Sequence, residues 1–182
     1  MNPSDVVAFW TNAGPKAWFA KDDAFDQAIR ARFEALHHRA ARRELDDWAQ
    51  GPEGSLALLL LLDQFPRNLY RRTAHAYATD PLARRVAEAA VDAGHDLAMP
   101  AALRPFFYLP FEHSESSDDQ ARGLALVEAH ARETGDHDTL RWARIHAAIV
   151  ARFGRLPHRN PALGRQDTPE EAQFLETGGF AG

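Results

Sequence analysis

A chain of 182 residues is long enough for one domain with a sizeable core and short for two. Its apolar share of 45% and charged share of 26% are typical of ordinary globular proteins, and its net charge of −5 argues against a nucleic-acid-binding protein, because such domains are usually basic. The sequence contains no cysteine, which excludes disulfides, thiolate metal sites and thiol nucleophiles.

No segment of the sequence has the features of a targeting or membrane-spanning element. The first residues lack a basic region, and the longest apolar run covers only residues 56–62, far below the roughly twenty residues that cross a bilayer. We therefore expect a bacterial-type cytoplasmic protein that makes no membrane contact.

Apolar spacing predicts helices in the first half of the chain. Large apolar residues recur every three or four positions over 25–36, which is one face of a helix. Residues 55–65 are apolar on every side, as a helix surrounded by others should be, and leucine and alanine favour helix over strand there. We expect Pro66 to end this helix, and Thr79 with Pro81 to begin the next.

Capping residues predict three further helices in the second half. One helix closes near Gly135, and the next begins at Asp136 or Asp138 and ends at Gly154. The segment 168–171, Thr-Pro-Glu-Glu, is a capping box that begins the last helix. With no β alternation anywhere, the sequence predicts an all-α single domain over residues 1–182, with about seven or eight helices packed as antiparallel hairpins.

Two arginine-bearing segments predict a binding site. The segment 152–165 carries four arginines and no acid, and the segment 65–71 resembles part of it. Guanidinium groups bind carboxylate or phosphate with two parallel hydrogen bonds, so we interpret the two segments as walls of one anion site. In the alternative interpretation, each arginine pairs with a local carboxylate or stabilises a helix C-terminus. Asp63 is expected to pair with an arginine and so to fix the first segment against the second.

The segment 111–115 combines an imidazole, a hydroxyl and two carboxylates. His113 could act as a general acid or base near neutral pH, while Glu115 orients it or pairs with an arginine. Ser114 lacks the Gly-x-Ser-x-Gly motif of a nucleophilic serine, and its alternative role is to cap backbone amides. The other histidines show no metal-ligand spacing, and His146 is interpreted as a hydrogen-bonded core residue. We predict neither a metal nor another cofactor.

Three long motifs resemble a known family. The segments 62–68, 107–115 and 152–165, in this order, are similar to the largely bacterial domain of unknown function 924. The resemblance extends from 9–10 to 174–175, although Thr11 and Leu156 stand where aromatic residues are expected. It implies a helical, tetratricopeptide-like fold. The family brings no established activity, so no catalytic residue is transferred from it.

Three functions follow from these patterns. The first is a binding module for a small phosphate- or carboxylate-bearing ligand, and the second is a tetratricopeptide-like scaffold for a protein partner with internally paired arginines. The third is an enzyme that uses His113 and Glu115 for acid–base chemistry beside the arginines. No nucleic acid is expected as a partner, and the oligomeric state stays open. The predicted ligand-binding residues are Arg67, Asn68, Arg71, His113, Glu115, Arg152, Arg155, His158, Arg159, Asn160 and Arg165.

Overall fold

The computed structural model describes residues 1–180, and every regular element in that range is helical. The all-α prediction is therefore confirmed for the described residues. Short 3₁₀ turns lie at Asp46–Gln50, Ala74–Tyr77, Ala101–Leu103 and Pro157–Arg159, and a π-helical turn lies at Leu60–Gln64. The α-helices are α1 (Pro3–Ala13), α2 (Pro15–Trp18), α3 (Asp23–Ala41), α4 (Pro52–Leu59), α5 (Phe65–Leu69), α6 (Asp80–Asp92), α7 (Pro105–Glu112), α8 (Ser117–Thr134), α9 (His137–Phe153) and α10 (Pro169–Glu176).

The helix α4, the π-helical turn and α5 follow one another without a break. Counted as one, they leave nine α-helices in residues 1–180, one more than the upper number expected. The additional helix is α2, a single turn at Pro15–Trp18. None of the helices in this range is long and apolar enough to cross a membrane.

Contacts between residues group the chain into two compact units. Unit 1 comprises Met1–Arg71 and His75–Pro110, and unit 2 comprises Arg72–Ala74 and the described residues from Phe111 onward. A single domain over residues 1–182 stays a prediction.

Unit 1 is built on an aromatic and leucine core. The ring of Trp10 lies 5.6 Å from that of Phe65 and 5.5 Å from that of Phe106, and all residues from Leu56 to Leu62 are buried. Burial of one leucine or phenylalanine side chain contributes about 1.5–3 kcal/mol to the free energy of unfolding. The start of α4 is packed so closely that a Cβ on Gly54 would lie 2.0 Å from a backbone oxygen, which explains the glycine.

Contrary to the prediction, the buried helix does not end at Pro66. The backbone N–H of Phe65 reaches back to the carbonyl of Leu60, five residues earlier, and this wider turn carries the helix past the proline to Leu69. Pro66 lacks an N–H, so the turn leaves carbonyl groups without a helical partner.

Side chains from elsewhere in unit 1 supply those partners. Nδ1 of His37 donates to the carbonyl of Leu61 at 2.8 Å, and the hydroxyl of Thr79 donates to the carbonyl of Leu62 at 2.5 Å. Both carbonyls belong to buried residues, where an unmet hydrogen bond costs about 1–3 kcal/mol. The proline is tolerated because His37 and Thr79 remove that cost.

Unit 2 is organised by the hairpin of α8 and α9. Gly135 and Gly154 end the two helices with φ of 78° and 69°, in the left-handed region that favours glycine, and Asp136 caps the start of α9. The predicted helix ends are thus confirmed. Trp142 is 41% exposed, because it lies at the edge of the buried face of α9, which includes Ala143.

Candidate functional site

The end of α7 is held by one buried amide. Nε2 of Gln120, in the first turn of α8, donates to the carbonyl oxygens of Glu112 and Ser114, each at 2.7 Å. These carbonyls lie where the helix runs out of backbone donors, so the amide ends α7 and orients the residues after it. Gly123 allows the close approach, since a Cβ there would lie 2.8 Å from Cβ of Phe111.

Ser114 makes local contacts just before the N-cap residue of α8, which is Ser116. Its hydroxyl donates to Oδ2 of Asp119 at 2.6 Å and accepts from the backbone N–H of Ser116 at 3.2 Å. The bond from Ser116 agrees with the predicted role of Ser114, which is to accept from a backbone amide.

A buried carboxylate–imidazole pair lies directly before His113. Oε1 of Glu112 is 2.8 Å from Nδ1 of His146 on α9, and the two side chains are 5% and 8% exposed. The carbonyl oxygen of Trp142 lies 3.0 Å from the same nitrogen. Both neighbours accept hydrogen bonds, so Nδ1 carries the hydrogen and Nε2 is the acceptor of the neutral ring. His146 can take up a proton at Nε2, or donate from it to an anion when charged.

We call His113, His146, His158 and Phe180 the imidazole centre. The ring centroid of His146 lies 6.4 Å from that of His113 and 4.6 Å from that of Phe180, and His158 lies 5.0 Å from Phe180. His146 is buried, whereas the other three are half-buried. The centre therefore has a buried imidazole with a partly accessible rim.

Glu115 anchors the loop that follows α9. Its two oxygens accept from the guanidinium of Arg165 at 2.7 and 2.9 Å, and Oε1 also accepts from the backbone N–H of Leu156 at 2.8 Å. Burial would raise the pKa of Glu115, but these hydrogen bonds and the positive charges of Arg165 and Arg159 outweigh it and hold the pKa below its usual value.

The predicted roles of Glu115 are thereby distinguished. Of the two alternatives, pairing with an arginine is the one observed, and its partner is Arg165. A carboxylate does hold a histidine, but the pair is Glu112 with His146 rather than Glu115 with His113.

Arg155 is held in the same bidentate way. Its guanidinium donates to both oxygens of Glu171, each at 2.6 Å, and the backbone N–H of Thr168 donates to the same carboxylate at 2.7 Å. The hydrogen bonds from Arg155 outweigh the effect of burial and, with Thr168, lower the pKa of Glu171 to about 2. The capping box predicted at the start of α10 is confirmed.

The arginine segment contains no acid of its own, but carboxylates from outside it pair with Arg152, Arg155 and Arg165. Glu115 and Glu171 pair with Arg165 and Arg155, and Glu170 pairs with Arg152 at 2.7 Å. The acids are 50, 16 and 18 residues away in sequence, so an acid-free stretch of sequence does not imply an unpaired cluster in the fold.

The arginines of unit 1 also face carboxylates. Arg67 donates to both oxygens of Asp80, at 2.9 and 3.0 Å, and lies 3.3 Å from Asp63. Asp63 thus pairs with an arginine as expected, but with one from its own segment. Arg71 donates to both oxygens of Asp26, at 2.5 and 2.9 Å.

The predicted site residues divide between the two units. Asn68, whose amide donates to Asp26 at 2.7 Å, belongs with Arg67 and Arg71 to unit 1. That the two arginine segments are walls of one site stays a prediction. Unit 2 contains the remaining residues, namely His113, Glu115, Arg152, Arg155, His158, Arg159, Asn160 and Arg165.

Two parts of the imidazole centre were missed from sequence. His146 was expected to be a hydrogen-bonded core residue, and it is buried as predicted. No recognisable spacing in the sequence connects it to its partner Glu112. Phe180 follows two glycines and shows no pattern of its own. Within residues 1–180, no three histidine or carboxylate side chains are grouped so that they could hold a metal ion.

The model of a bacterial protein family of unknown function, DUF924, matches residues 6–179. The chain belongs to this family. A solved structure, that of the protein of unknown function ATU0120 from Agrobacterium tumefaciens, is 54% identical to it and superposes with a TM-score of 0.91 over 97% of each chain. No curated protein matches the sequence. These relatives support the helical fold of this DUF924 protein and carry no activity over to it.

Proposed function

We propose that this DUF924 protein binds a small molecule bearing a carboxylate or a phosphate at the imidazole centre of unit 2. The observation that carries the proposal is the meeting of three histidines from separate segments. His146 lies beside His113, and both His146 and His158 contact the ring of Phe180. The half-buried rim would let a small molecule reach them.

Imidazole rings are suited to an anion. Each neutral ring donates one N–H, and a protonated ring donates two and carries a positive charge. Nδ1 of His146 is already engaged by the carboxylate of Glu112, so His146 contacts an anion through Nε2, which donates in the protonated ring. Arg159, adjacent to His158, adds a positive charge whose influence extends to Glu115.

In this proposal most of the arginines position the site and do not bind the ligand directly. Arg165 holds Glu115 and the loop at Leu156 together, and Glu115 lies three residues after Glu112. The arginine segment thereby fixes the residues that present His113.

Thermal unfolding with inorganic phosphate and with citrate tests the proposal. A ligand at a hundred times its Kd adds about 2.7 kcal/mol, which for a chain of this size raises Tm by about 5–10 °C. We expect such a shift for the wild-type protein, and its loss in His146→Gln. Sodium chloride at equal ionic strength corrects for screening.

His130→Gln is the matched control, because His130 is an equally buried histidine of unit 2 that contacts Asp136 instead of the imidazole centre. This variant should keep the ligand-induced shift. The proposal fails if neither anion raises Tm beyond the chloride control, or if His146→Gln and His130→Gln respond alike.

A second candidate function is a protein-interaction scaffold. A shallow groove of about 380 Å³ runs along α9 and is lined by Leu140, Arg141, Arg144 and Ile145 among others. The two arginines are each 61% exposed, and their ion pairs with Asp138 and Glu128 lie at the surface, where such pairs are weak. An apolar floor with a basic rim fits an acidic amphipathic helix. Fluorescence anisotropy with a labelled Glu/Leu peptide should detect binding that Arg141→Ala with Arg144→Ala abolishes, and the scaffold is rejected if that peptide does not bind.

A further inference from the structure

The ring of Phe180 occupies a slot made of other aromatic rings. His146 and His158 meet it edge to face, with interplanar angles of 64° and 87°, and Trp142 meets it at 5.8 Å and 58°. An aromatic pair in such a geometry contributes about 0.5–1.5 kcal/mol in addition to the burial of its apolar surface. The slot is therefore a ring-binding position whose walls include two members of the imidazole centre.

The backbone that delivers Phe180 depends on two glycines. Gly178 has a φ of 87°, in the left-handed region that favours glycine, and it turns the chain after α10. Gly179 then passes so close to Phe174 that a Cβ would lie 2.6 Å from both its ring and its carbonyl oxygen. Phe180 itself stays half-buried, so water reaches one side of the slot.

We infer that the ligand of the imidazole centre is an anion that carries an aromatic ring, and that this ring takes the place of Phe180 between His146, His158 and Trp142. This inference rests on the proposed function for the anionic part only. The charged group would be met by the imidazole N–H groups, while the ring would make the edge-to-face contacts that Phe180 now makes. Phe180 then competes with the ligand, which lowers the apparent affinity in proportion to the fraction of molecules with a filled slot.

Three small probes separate the ring from the charge. Phenyl phosphate carries both, inorganic phosphate only the charge and phenol only the ring, and each is titrated by calorimetry into the wild type and Phe180→Ala. We expect phenyl phosphate to bind the wild type more tightly than either other probe. In Phe180→Ala its Kd should fall by about tenfold, as for a slot that is about nine-tenths filled, whereas the Kd of phosphate should change less than about twofold, because phosphate does not need the slot.

Two further variants guard against indirect effects. Gly179→Val keeps the ring of Phe180 but forces its backbone away from Phe174, so it should strengthen phenyl phosphate binding as Phe180→Ala does. Phe19→Ala removes an exposed ring of unit 1 and should leave all three affinities unchanged. In the wild type, nuclear Overhauser effects between Phe180 and His146 should disappear as phenyl phosphate binds.

The outcomes distinguish this inference from the proposed function. Equal affinities for phosphate and phenyl phosphate would overturn the ring slot and leave anion binding standing. Equal affinities of Phe180→Ala for phenol and phenyl phosphate, with no binding of phosphate, would support the ring slot and overturn anion binding. If none of the probes binds either protein, both ideas are wrong.

Discussion

At the scale of single residues, neighbouring glutamates in the first turn of α10 have very different surroundings. Glu171 is 2% exposed and receives two hydrogen bonds from Arg155, whereas Glu170 is 61% exposed and pairs with Arg152. Charge-assisted hydrogen bonds in a buried setting contribute about 1.5–3 kcal/mol each, while exposed pairs contribute about 0–1 kcal/mol.

We therefore expect Glu171→Gln to lower the free energy of unfolding by about 2–3 kcal/mol and Glu170→Gln by less than about 1 kcal/mol, measured by urea denaturation. The two substitutions remove the same charge from the same helical turn, so the helix dipole contributes about equally to both. Similar losses in the two variants would show that the burial of Glu171 and its bonds to Arg155 do not stabilise the fold.

At the scale of elements, the π-helical turn depends on a donor from another helix. Thr79 occupies the N-cap position of α6, but its hydroxyl makes no capping bond and donates to the carbonyl of Leu62. Thr79→Val should leave that buried carbonyl unmet and cost about 1–3 kcal/mol in urea denaturation. Thr11→Val, at an exposed position of α1, is the control and should change stability by less than about 0.5 kcal/mol.

A double-mutant cycle of Thr79→Val with a substitution of Pro66 tests why the π-helical turn needs Thr79. Pro66→Ala restores an N–H that can donate to the carbonyl of Leu62, four residues earlier. Thr79→Val should then cost less in the Pro66→Ala background than in the wild type, a positive coupling between two residues that share one carbonyl. Additive losses would mean that the missing N–H of Pro66 is not what makes Thr79 necessary.

Local signals predicted the elements well, and non-local partners were the part that sequence did not reveal. The ends of α8 and α9 at Gly135 and Gly154 and the start of α10 at Thr168 depend on the backbone of adjacent residues. The residue types at these positions therefore suffice to predict them. Continuation past Pro66 depends on His37 and Thr79, which no local pattern connects to it.

At the scale of the whole molecule, the candidate site shows the same division. His113 and His158 of the imidazole centre lie in segments that the sequence singled out, whereas His146 and Phe180 do not. The guanidinium groups were predicted to suit carboxylates, and carboxylates are what they meet. Which carboxylate each guanidinium meets was not predicted, because Glu115 and Arg165 are 50 residues apart in sequence. A positive stretch of sequence measures local composition, whereas a binding site depends on the charges that folding brings beside it.

Ion pairs, hydrogen bonds and burial together predict how stability depends on pH. The pKa values of Asp26, Glu115, Asp136 and Glu171 all lie below their usual values in the folded protein, and burial lowers the pKa of His37 below 6.5. For each group the unfolded chain binds protons at a higher pH than the folded protein does. Acid therefore favours unfolding at every one of these positions.

We expect the free energy of unfolding to fall as pH drops below 6.5, through His37, and to fall most steeply between 4.5 and about 2, the window set by Glu171. Urea denaturation at several pH values measures the curve for the wild type and for Glu171→Gln. The variant lacks one titrating carboxylate, so the gap between the two curves should be full above pH 5 and close as Glu171 is protonated. A gap that stays constant down to pH 2.5 would show that Glu171 stabilises the fold through its shape and neutral hydrogen bonds, and that its charge contributes nothing.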